Sequence, residues 1–387
     1  MFITFATMND SGQFATVLLR WYKEHCRELP WRETTDPYAI WLSEIILQQT
    51  RIQQGWAYWE RFMKRWPKVE ALAAATEDEV LREWQGLGYY SRARNLHAAA
   101  KQIVARAGFP NTLEEIKKLK GVGDYTAAAI ASFAFGIPAA VVDGNVYRVL
   151  SRYFGIDTPI NTAEGKKVFA ALAQEVFPWE KGEGREKGNE GKGEREKENE
   201  GKGERGNEGA IGAQYNQAIM DFGAMQCTPK TPKCESCPLV ESCEALRTGR
   251  VEVLPIKEKK LQVKTRHITY VYIRCNGETA IHRRGAGDIW QGLWEPLLLN
   301  EECRMKNEES AGAWRDDNCQ LSIINCQLLQ RNVKHVLTHR VILADFYLME
   351  TEVKPELPEG YIWIREEDID NYGIPRLVEK LLEKVKE

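Results

Sequence analysis

The sequence lacks a long hydrophobic run and a basic leader. None of its stretches approaches the roughly twenty apolar residues that a helix needs to cross a bilayer, which argues against an integral membrane protein. The N-terminal residues, MFITFATMNDSGQF, do not show the basic start and long apolar segment that mark a signal peptide. We therefore predict a cytoplasmic protein that does not bind membranes.

A strong charge of either sign is also missing. The 53 Lys and Arg residues nearly balance the 56 Asp and Glu residues, which leaves a formal net charge of −3. Because the overall charge gives no argument for binding nucleic acid, such a function must depend on local motifs. The 387 residues, 43% of them hydrophobic, are enough for two or three domains with sizeable cores.

Core-forming side chains are absent from residues 180–209. This segment contains only Gly, Glu, Lys, Arg and Asn in an imperfect repeat, so we predict a disordered, solvated insertion. A second near-repeat, NCQLSII followed by NCQLLQR at residues 318–331, is interpreted as expanded loop sequence.

Helical periodicity extends over residues 10–179 and resumes at Ala213 after the insertion. Asp36 followed by Pro37 predicts the start of one helix, which runs toward Thr50. Further helical runs are predicted at residues 67–85, 91–107, 112–120, 124–135 and 145–155. We assign residues 1–179 and 210–245 to one helical domain.

The C-terminal residues show a different pattern. Residues 246–264 form a connector, and residues 265–387 are predicted to form a separate α+β domain. Its strands are expected at residues 267–274, 279–282, 341–350 and 361–364, followed by a final helix at residues 375–385.

Cysteine is concentrated in one C-x6-C-x2-C-x5-C run, formed by Cys227, Cys234, Cys237 and Cys243. Disulfides are rare in a reducing compartment, and clustered thiolates suit either tetrahedral zinc or a cubane iron–sulfur cluster. One tight pair with wider gaps on both sides favours the iron–sulfur cluster, and zinc or a run that holds no metal remain the alternatives.

Two glycines one residue apart occur in the string LKGVGDYTA at residues 119–127. They predict a tight turn between two helices, and the backbone N–H groups that open the second helix can bind a phosphate. A GxG turn alone is also compatible with simple packing. The complete string, however, resembles the helix-hairpin-helix clamp for a DNA backbone.

Two carboxylates stand out. Glu44 lies on an apolar face of its predicted helix, where a carboxylate is costly unless it is paired or functional, and burial would raise its pKa. A buried salt bridge is the structural alternative. Asp143, in the string VDGN at residues 142–145, is equally compatible with an ordinary helix N-cap.

Together these motifs resemble the helix-hairpin-helix base-excision glycosylases with a [4Fe–4S] cluster, and among them the adenine DNA glycosylases of the MutY family. The resemblance rests on SE at 43–44, LQQTR at 47–51, the hairpin string, VDGN, the cysteine run, LPWR at 29–32, GLGYYSR at 86–92 and NQA at 216–218. Bifunctional relatives carry a Schiff-base lysine at the position of Tyr125. The tyrosine therefore implies a monofunctional enzyme.

The resemblance implies a role for each site residue. Glu44 would protonate N7 of adenine, and Asp143 would stabilise the oxocarbenium-like sugar and guide the water. Tyr125 and Asn145 would support this pair. The expected DNA and base contacts are Gln217 and Arg32 on the extruded adenine, Trp31 in its pocket, Gln48 and Tyr89 as residues that enter the helix, and Gly121 and Gly123 in the clamp.

The C-terminal domain resembles a nucleotide-hydrolase-like (Nudix-like) domain that this family uses to recognise 8-oxoguanine. WQGLWE at residues 290–295 carries that resemblance, but no R-E-x-x-E-E run follows, so we predict no pyrophosphohydrolase activity. The family's Phe-Ser-His loop corresponds to Leu337, Thr338 and His339. Thr338 keeps a hydroxyl for the lesion base, whereas Leu337 lacks the aromatic ring.

The fold class expected is thus a helical glycosylase domain with an iron–sulfur loop and a C-terminal α+β domain. The expected partner is double-stranded DNA with adenine opposite 8-oxoguanine or guanine, bound by a monomer at the chromosome. The alternatives are a thymine or uracil mismatch glycosylase of the same superfamily and a non-catalytic iron–sulfur protein that binds DNA.

Overall fold

A computed structural model describes residues 9–178, 203–258, 263–299 and 326–387. The chain divides into two compact units: Met1–Gln48 with Gln102–Lys259, and Gln49–Lys101 with Lys260–Glu387. We call these the first and the second unit. The second unit groups some helices with the C-terminal residues, whereas the sequence patterns assigned all the helices to one domain. The predicted domain boundaries stay a prediction.

The described residues before the C-terminal domain are helical, as predicted. The helices are α1 (Asn9–His25), α2 (Pro37–Ile46), α3 (Ile52–Arg65), α4 (Val69–Ala74), α5 (Glu77–Glu83), α6 (Ser91–Ala105), α7 (Leu113–Ile116), α8 (Asp124–Phe135), α9 (Gly144–Phe154), α10 (Ala163–Glu175), α11 (Gly203–Met225) and α12 (Glu244–Arg247). None of the described helices is long and apolar enough to span a membrane.

Local capping sets where several helices begin. The predicted start of α2 is confirmed, because the Asp36 side chain accepts a hydrogen bond from the backbone N–H of Tyr38. The single run predicted at residues 67–85 is wrong. Thr76 is extended and forms a capping box with Glu79, which ends α4 and begins α5.

Helix α2 lies in the core of the first unit and packs against α8. All its residues after Pro37 are buried, including Trp41. It ends at Ile46 rather than near Thr50, and Gln49 has a left-handed backbone with φ of 56°. Helix α11 begins at Gly203, before the predicted resumption at Ala213. Residues 180–202 of the predicted insertion lie outside the described residues.

The C-terminal residues form a mixed sheet of seven strands in the described part of the second unit. The strands are β1 (Lys264–Cys275), β2 (Glu278–Arg283), β3 (Trp294–Glu295), β4 (Leu297–Leu299), β5 (Cys326–Val336), β6 (Arg340–Thr351) and β7 (Tyr361–Arg365). The main path is β3-β2-β1-β6-β5, with β4 beside β1 and β7 beside β2. Strands β1 and β6 pair in parallel, and the other pairs are antiparallel.

The four predicted strands and the final helix are confirmed, and the helix is α13 (Arg376–Val385). Its buried face, which includes Leu377 and Leu381, packs on the sheet. Strand β5 was missed, and residues 326–331 of the near-repeat lie in it rather than in a loop, whereas residues 318–325 lie outside the described residues. Its pairing with β6 shifts register near Gln330, and its mostly exposed residues do not alternate, so the usual two-residue signal is absent.

Candidate active site and cysteine-lined cavity

Glu44 is a buried carboxyl group that receives a hydrogen bond from a tyrosine. Its residue is only 7% exposed, and the hydroxyl of Tyr125, brought in by the packing of α8 on α2, donates to Oε2 at 2.7 Å. Burial raises the pKa of Glu44 to about 7; the Tyr125 bond and the charge of Arg32 oppose that rise, and the charge of Asp143 adds to it. A substantial fraction of Glu44 therefore holds a proton at neutral pH.

Asp143 is the N-cap of α9 and lies in the same electrostatic environment as Glu44. Its Oδ1 accepts bonds from the backbone N–H groups of Asn145 at 2.9 Å and Val146 at 2.8 Å, and its Oδ2 accepts one from Nδ2 of Asn145 at 2.7 Å. Burial raises the pKa of Asp143, but these three donors favour its ionised form. The capping role is confirmed, and Asp143 accepts three hydrogen bonds where Glu44 accepts one from Tyr125.

Trp31, Arg32 and Gln217 line one cavity of about 530 Å³ in the first unit, together with Tyr22. Arg32 donates two bonds of 2.8 Å to the buried carboxylate of Asp221. The Tyr22 hydroxyl donates to Oε1 of Gln217 at 2.6 Å. The structure therefore brings together the three residues predicted for the base pocket.

Tyr22, Arg27 and Asp221 were missed in the sequence. Asp221 binds Arg27 as well as Arg32, and the two guanidinium groups outweigh burial and lower its pKa. Asp221 lies four residues after Gln217, so the two side chains share one face of α11. This spacing is the sequence signal by which Asp221 could have been found.

The hairpin between α7 and α8 has a backbone conformation that favours glycine at one position. Gly121 has φ of 78°, a left-handed conformation that side-chain-bearing residues avoid. Gly123 is the N-cap of α8, and a Cβ there would meet no atom within 4 Å. Nε2 of Gln48 donates to the Thr126 hydroxyl of this helix at 3.2 Å. The start of α8 is thus linked to the residues that follow α2.

Tyr89 and Thr338, both in the second unit, are joined directly. Tyr89 has a left-handed backbone with φ of 47° and a 45% exposed side chain, and its hydroxyl is hydrogen-bonded to Oγ1 of Thr338. Thr338 lies in the turn between β5 and β6, closed by a bond of 2.8 Å from the Leu337 N–H to the Arg340 carbonyl. His339 is in the same turn, and its carbonyl accepts from the N–H of Lys264 at 3.2 Å.

All four predicted cysteine ligands line one cavity of about 30 Å³, beside Arg152. Burial raises the pKa of Cys237 to about 11 and also raises those of Cys234 and Cys243. Because burial disfavours the charged form of these cysteines, their thiolates would need a cationic partner. No three His, Cys, Asp or Glu side chains in the described ranges are arranged around one ion. A cubane differs in taking one thiolate on each of its irons.

Helix α9 links the two sites. Near its start, Nη2 of Arg148 donates to Oδ1 of Asn145 at 2.8 Å, while Nε donates to the carbonyl of Cys227 at 2.7 Å. One helical turn later, Nη1 of Arg152 donates to the carbonyl of Thr228 at 2.7 Å and approaches Sγ of Cys227 at 3.4 Å. The N-terminal end of the helix holds Asp143, and its arginines hold the start of the cysteine run.

Comparisons with known proteins agree with this architecture. Residues 42–177 match the family "HhH-GPD superfamily base excision DNA repair protein", and residues 269–384 match the NUDIX domain. The adenine DNA glycosylase of Buchnera aphidicola subsp. Schizaphis graminum is 28% identical over 96% of this chain and 98% of its own length. Over nearly its whole length the chain is similar to an adenine DNA glycosylase.

Other relatives match over part of their length. The adenine DNA glycosylase of Arabidopsis thaliana is 31% identical over 78% of this chain and 50% of the relative; that of Homo sapiens is 37% identical over 65% and 42%. A thermostable thymine-DNA glycosylase of known structure is 27% identical, with a TM-score of 0.52 over 63% of this chain and all of that one.

The two matched domain families confirm the predicted fold class: a helix-hairpin-helix glycosylase fold with a C-terminal Nudix-like domain. The comparisons also confirm that the chain is a hydrolase, a DNA glycosylase of base excision repair, with DNA as its partner. The predicted monomeric state and cytoplasmic location stay predictions. The residues after Leu299, where the Nudix acidic helix was expected to be missing, lie outside the described ranges, so the absence of pyrophosphohydrolase activity is also still a prediction.

Proposed function

We propose that this enzyme removes adenine paired with 8-oxoguanine or guanine in double-stranded DNA, by hydrolysis and without cutting the strand. The observation that carries the proposal is a pair of carboxyl groups with different surroundings: Glu44, which has a pKa of about 7 and one hydrogen-bond donor, and Asp143, which accepts three hydrogen bonds. One group suits proton donation, and the other suits stabilising a cation.

In this mechanism neutral Glu44 donates its proton to N7 of adenine, which makes the base a better leaving group. The sugar develops positive charge as the glycosidic bond breaks, and carboxylate Asp143 stabilises that charge and guides water to the sugar. Asn145 holds Asp143 in place through its amide.

The absence of strand cleavage is argued from Tyr125. Burial keeps the pKa of its phenol well above the ordinary value, so the group is neutral and donates to Glu44. A phenol cannot form the Schiff base by which a lysine would cleave the strand.

Adenine has to leave the base stack to reach Glu44, and we assign it to the cavity lined by Trp31, Arg32 and Gln217. The bidentate bond from Arg32 to Asp221 fixes the guanidinium at the wall of that cavity. The Tyr22 hydroxyl donates to the side-chain carbonyl oxygen of Gln217 and so orients the amide, whose N–H₂ group points away from Tyr22.

We further propose that Cys227, Cys234, Cys237 and Cys243 hold a [4Fe–4S] cluster. Their convergence on one cavity and the raised pKa values of the buried thiols support this, because a cationic metal centre would offset the cost of burying thiolates. The cluster would cross-link the loop that carries the four cysteines. We assign reading of the opposite base to Tyr89 and Thr338, supported by their direct hydrogen bond on an exposed turn.

The test is base release from duplexes that carry adenine, thymine or uracil opposite 8-oxoguanine or guanine, with and without alkali to reveal abasic sites. We expect release of adenine alone and strand breaks only after alkali. Release of thymine or uracil instead would favour the mismatch-glycosylase alternative. Breaks without alkali would contradict the monofunctional assignment.

A further inference from the structure

The short segment of residues 85–94, which contains Tyr89, is attached to C-terminal residues at both ends. At its start, Nε2 of Gln85 donates to Oε1 of Glu379 at 2.5 Å, and Oε1 of Gln85 accepts from the N–H of Ile374 at 3.4 Å. At its end, Nη1 of Arg94 donates to the carbonyl of Gln291 at 2.7 Å. All these residues belong to the second unit.

The bond between Tyr89 and Thr338 lies between these two attachments. The four C-terminal partner residues come from three places: Ile374 and Glu379 from the start of α13, Gln291 from the loop before β3 and Thr338 from the turn between β5 and β6. Gln85, Tyr89 and Arg94 lie four and five residues apart. Through them, one short segment is held against three separate parts of the Nudix-like domain.

The backbone of the segment needs such support. Gly86, Gly88 and Tyr89 have φ values of 95°, 70° and 47°. A non-glycine residue in the left-handed region costs on the order of 1–3 kcal/mol and persists when its surroundings determine it. Local contacts supply part of that support, since Nη2 of Arg92 and Nε1 of Trp84 both donate to the carbonyl of Gly88, and the contacts on either side add to it.

We propose that Gln85 is a positioning residue that holds Tyr89 against Thr338 and thereby sets the preference for 8-oxoguanine over guanine opposite adenine. The inference rests on the proposed function, in which Thr338 contacts the lesion base. Gln85 suits this role because its amide donates to a carboxylate and accepts from a backbone N–H, so it connects the segment to both the side chain and the main chain at the start of α13.

The site of base cleavage would be spared by a change at Gln85. Glu44, Asp143 and Tyr125 lie in the first unit, whereas Gln85 and all its partners lie in the second. The expected signature is therefore a loss of discrimination between opposite bases rather than a uniform loss of rate.

The test compares single-turnover adenine release opposite 8-oxoguanine and opposite guanine. In Gln85→Glu the donor is lost and a carboxylate faces Glu379, so we expect the ratio of the two rates to fall by about tenfold, the scale of one hydrogen bond to a charged group. The rate opposite guanine should stay within about twofold. The matched control is Gln53→Glu, at an exposed position of α3 in the same unit.

Rescue separates positioning from general damage. The double variant Gln85→Glu/Glu379→Gln rebuilds the amide–carboxylate bond in the opposite sense and should recover the ratio. If Gln85→Glu does not fold, Gln85→Ala replaces it, because alanine removes both bonds without adding charge, and the ratio should fall there too.

The outcomes are distinguishable. A wild-type enzyme that releases no adenine from either duplex would overturn the proposed function and this inference with it. Equal rates opposite both bases in the wild type would overturn lesion reading while leaving adenine removal intact. A wild-type preference that Gln85→Glu and Gln85→Ala retain in full would overturn the role of Gln85 alone.

Discussion

At the scale of single residues, Glu44 shows how burial can prepare an acid. The desolvation that raises its pKa is only partly offset by one phenol bond and one nearby guanidinium group, so a substantial fraction of Glu44 holds its proton at neutral pH. Asp143 is buried as well, but three donors favour its charge. The difference in donors, rather than in side-chain chemistry, separates the two roles.

Replacing Glu44 by glutamine should abolish chemistry without abolishing binding. The amide keeps the shape of the side chain but cannot deliver an acidic proton, so we expect adenine release to fall by roughly 10²–10⁴-fold while duplex affinity is nearly retained. Single-turnover release and equilibrium binding measure the two effects. The matched control is Glu175→Gln at an exposed position of α10. Near-normal adenine release by Glu44→Gln would show that Glu44 is not the general acid.

The rate of adenine release should decline as pH rises through about 7, the pKa of Glu44. The active form is protonated, so the loss lies on the alkaline side and approaches tenfold per pH unit. Tyr125→Phe removes a bond that lowers this pKa and should move the decline to higher pH, whereas Tyr58→Phe, a change in the second unit, should not move it. A profile that is flat between about pH 6 and 9 would contradict the assignment of the acid.

The same raised pKa has a consequence for stability. Because the folded-state value exceeds the unfolded one, the contribution of Glu44 is fully present below the unfolded pKa and is lost as pH rises through about 7. Relative to Glu44→Gln, the wild-type free energy of unfolding should fall by on the order of 3 kcal/mol between about pH 4 and 8. Urea titrations of both proteins at each pH measure the difference, and an unchanged difference would contradict burial of the carboxyl group.

At the scale of elements, α9 connects the cysteine run to Asp143 through two arginines with different contacts. Arg148 bonds to Asn145, which positions Asp143, and to the carbonyl of Cys227, whereas Arg152 bonds to the carbonyls of Thr228 and Leu254. We expect Arg148→Gln to lower adenine release by about tenfold while iron is retained, and Arg152→Gln to lower iron content first. Iron per chain and single-turnover release, measured on the same preparations, distinguish the two. Equal losses of both quantities in both variants would contradict this division.

The cysteine loop itself can be tested by metal content. Cys237→Ala removes one of the four thiols around the cavity and should prevent loading of about four irons per chain. Cys275→Ala is the matched control, because this buried cysteine lies in β1 of the other unit and should leave iron unchanged. Stoichiometric zinc without iron in fresh wild-type protein would favour the zinc alternative.

At the scale of the whole molecule, the position of Gly209 limits what can be removed from the charged segment. A Cβ at Gly209 would lie 2.9 Å from the carbonyl oxygen of Gly136, so the two backbones need the absence of a side chain there. Residues 181–202, by their composition, cannot contribute to a core, and surface insertions cost little loop entropy.

Deletion of residues 181–202 should therefore leave adenine release within a few-fold of the wild type. Gly209→Val should instead lower stability, because the clash with Gly136 is with backbone that cannot yield locally. Thermal unfolding and single-turnover release of both variants measure the contrast. Complete loss of activity in a folded, iron-loaded deletion variant would show that the segment has a function of its own.

Sequence alone determined the features that depend on neighbours along the chain. Four such features depend on only a few consecutive residues, so they can be recognised without knowing the fold. They are the helix start at Asp36, the glycines of the hairpin, the cap at Asp143 and the cysteine run. The family motifs carried the glycosylase prediction for the same reason. Strand β5 was not predicted, because its irregular register removes the alternation of buried and exposed residues on which strand prediction depends.

Tertiary structure alone decided the features that join distant residues. The bond from Arg32 to Asp221 spans 189 positions and that from Gln85 to Glu379 spans 294, distances over which periodicity carries no signal. The pKa of Glu44 is likewise a property of its surroundings, because desolvation, Tyr125, Asp143 and Arg32 act through space. The sequence thus identifies the acid, but only the packing of α2 against α8 buries it enough to keep its proton.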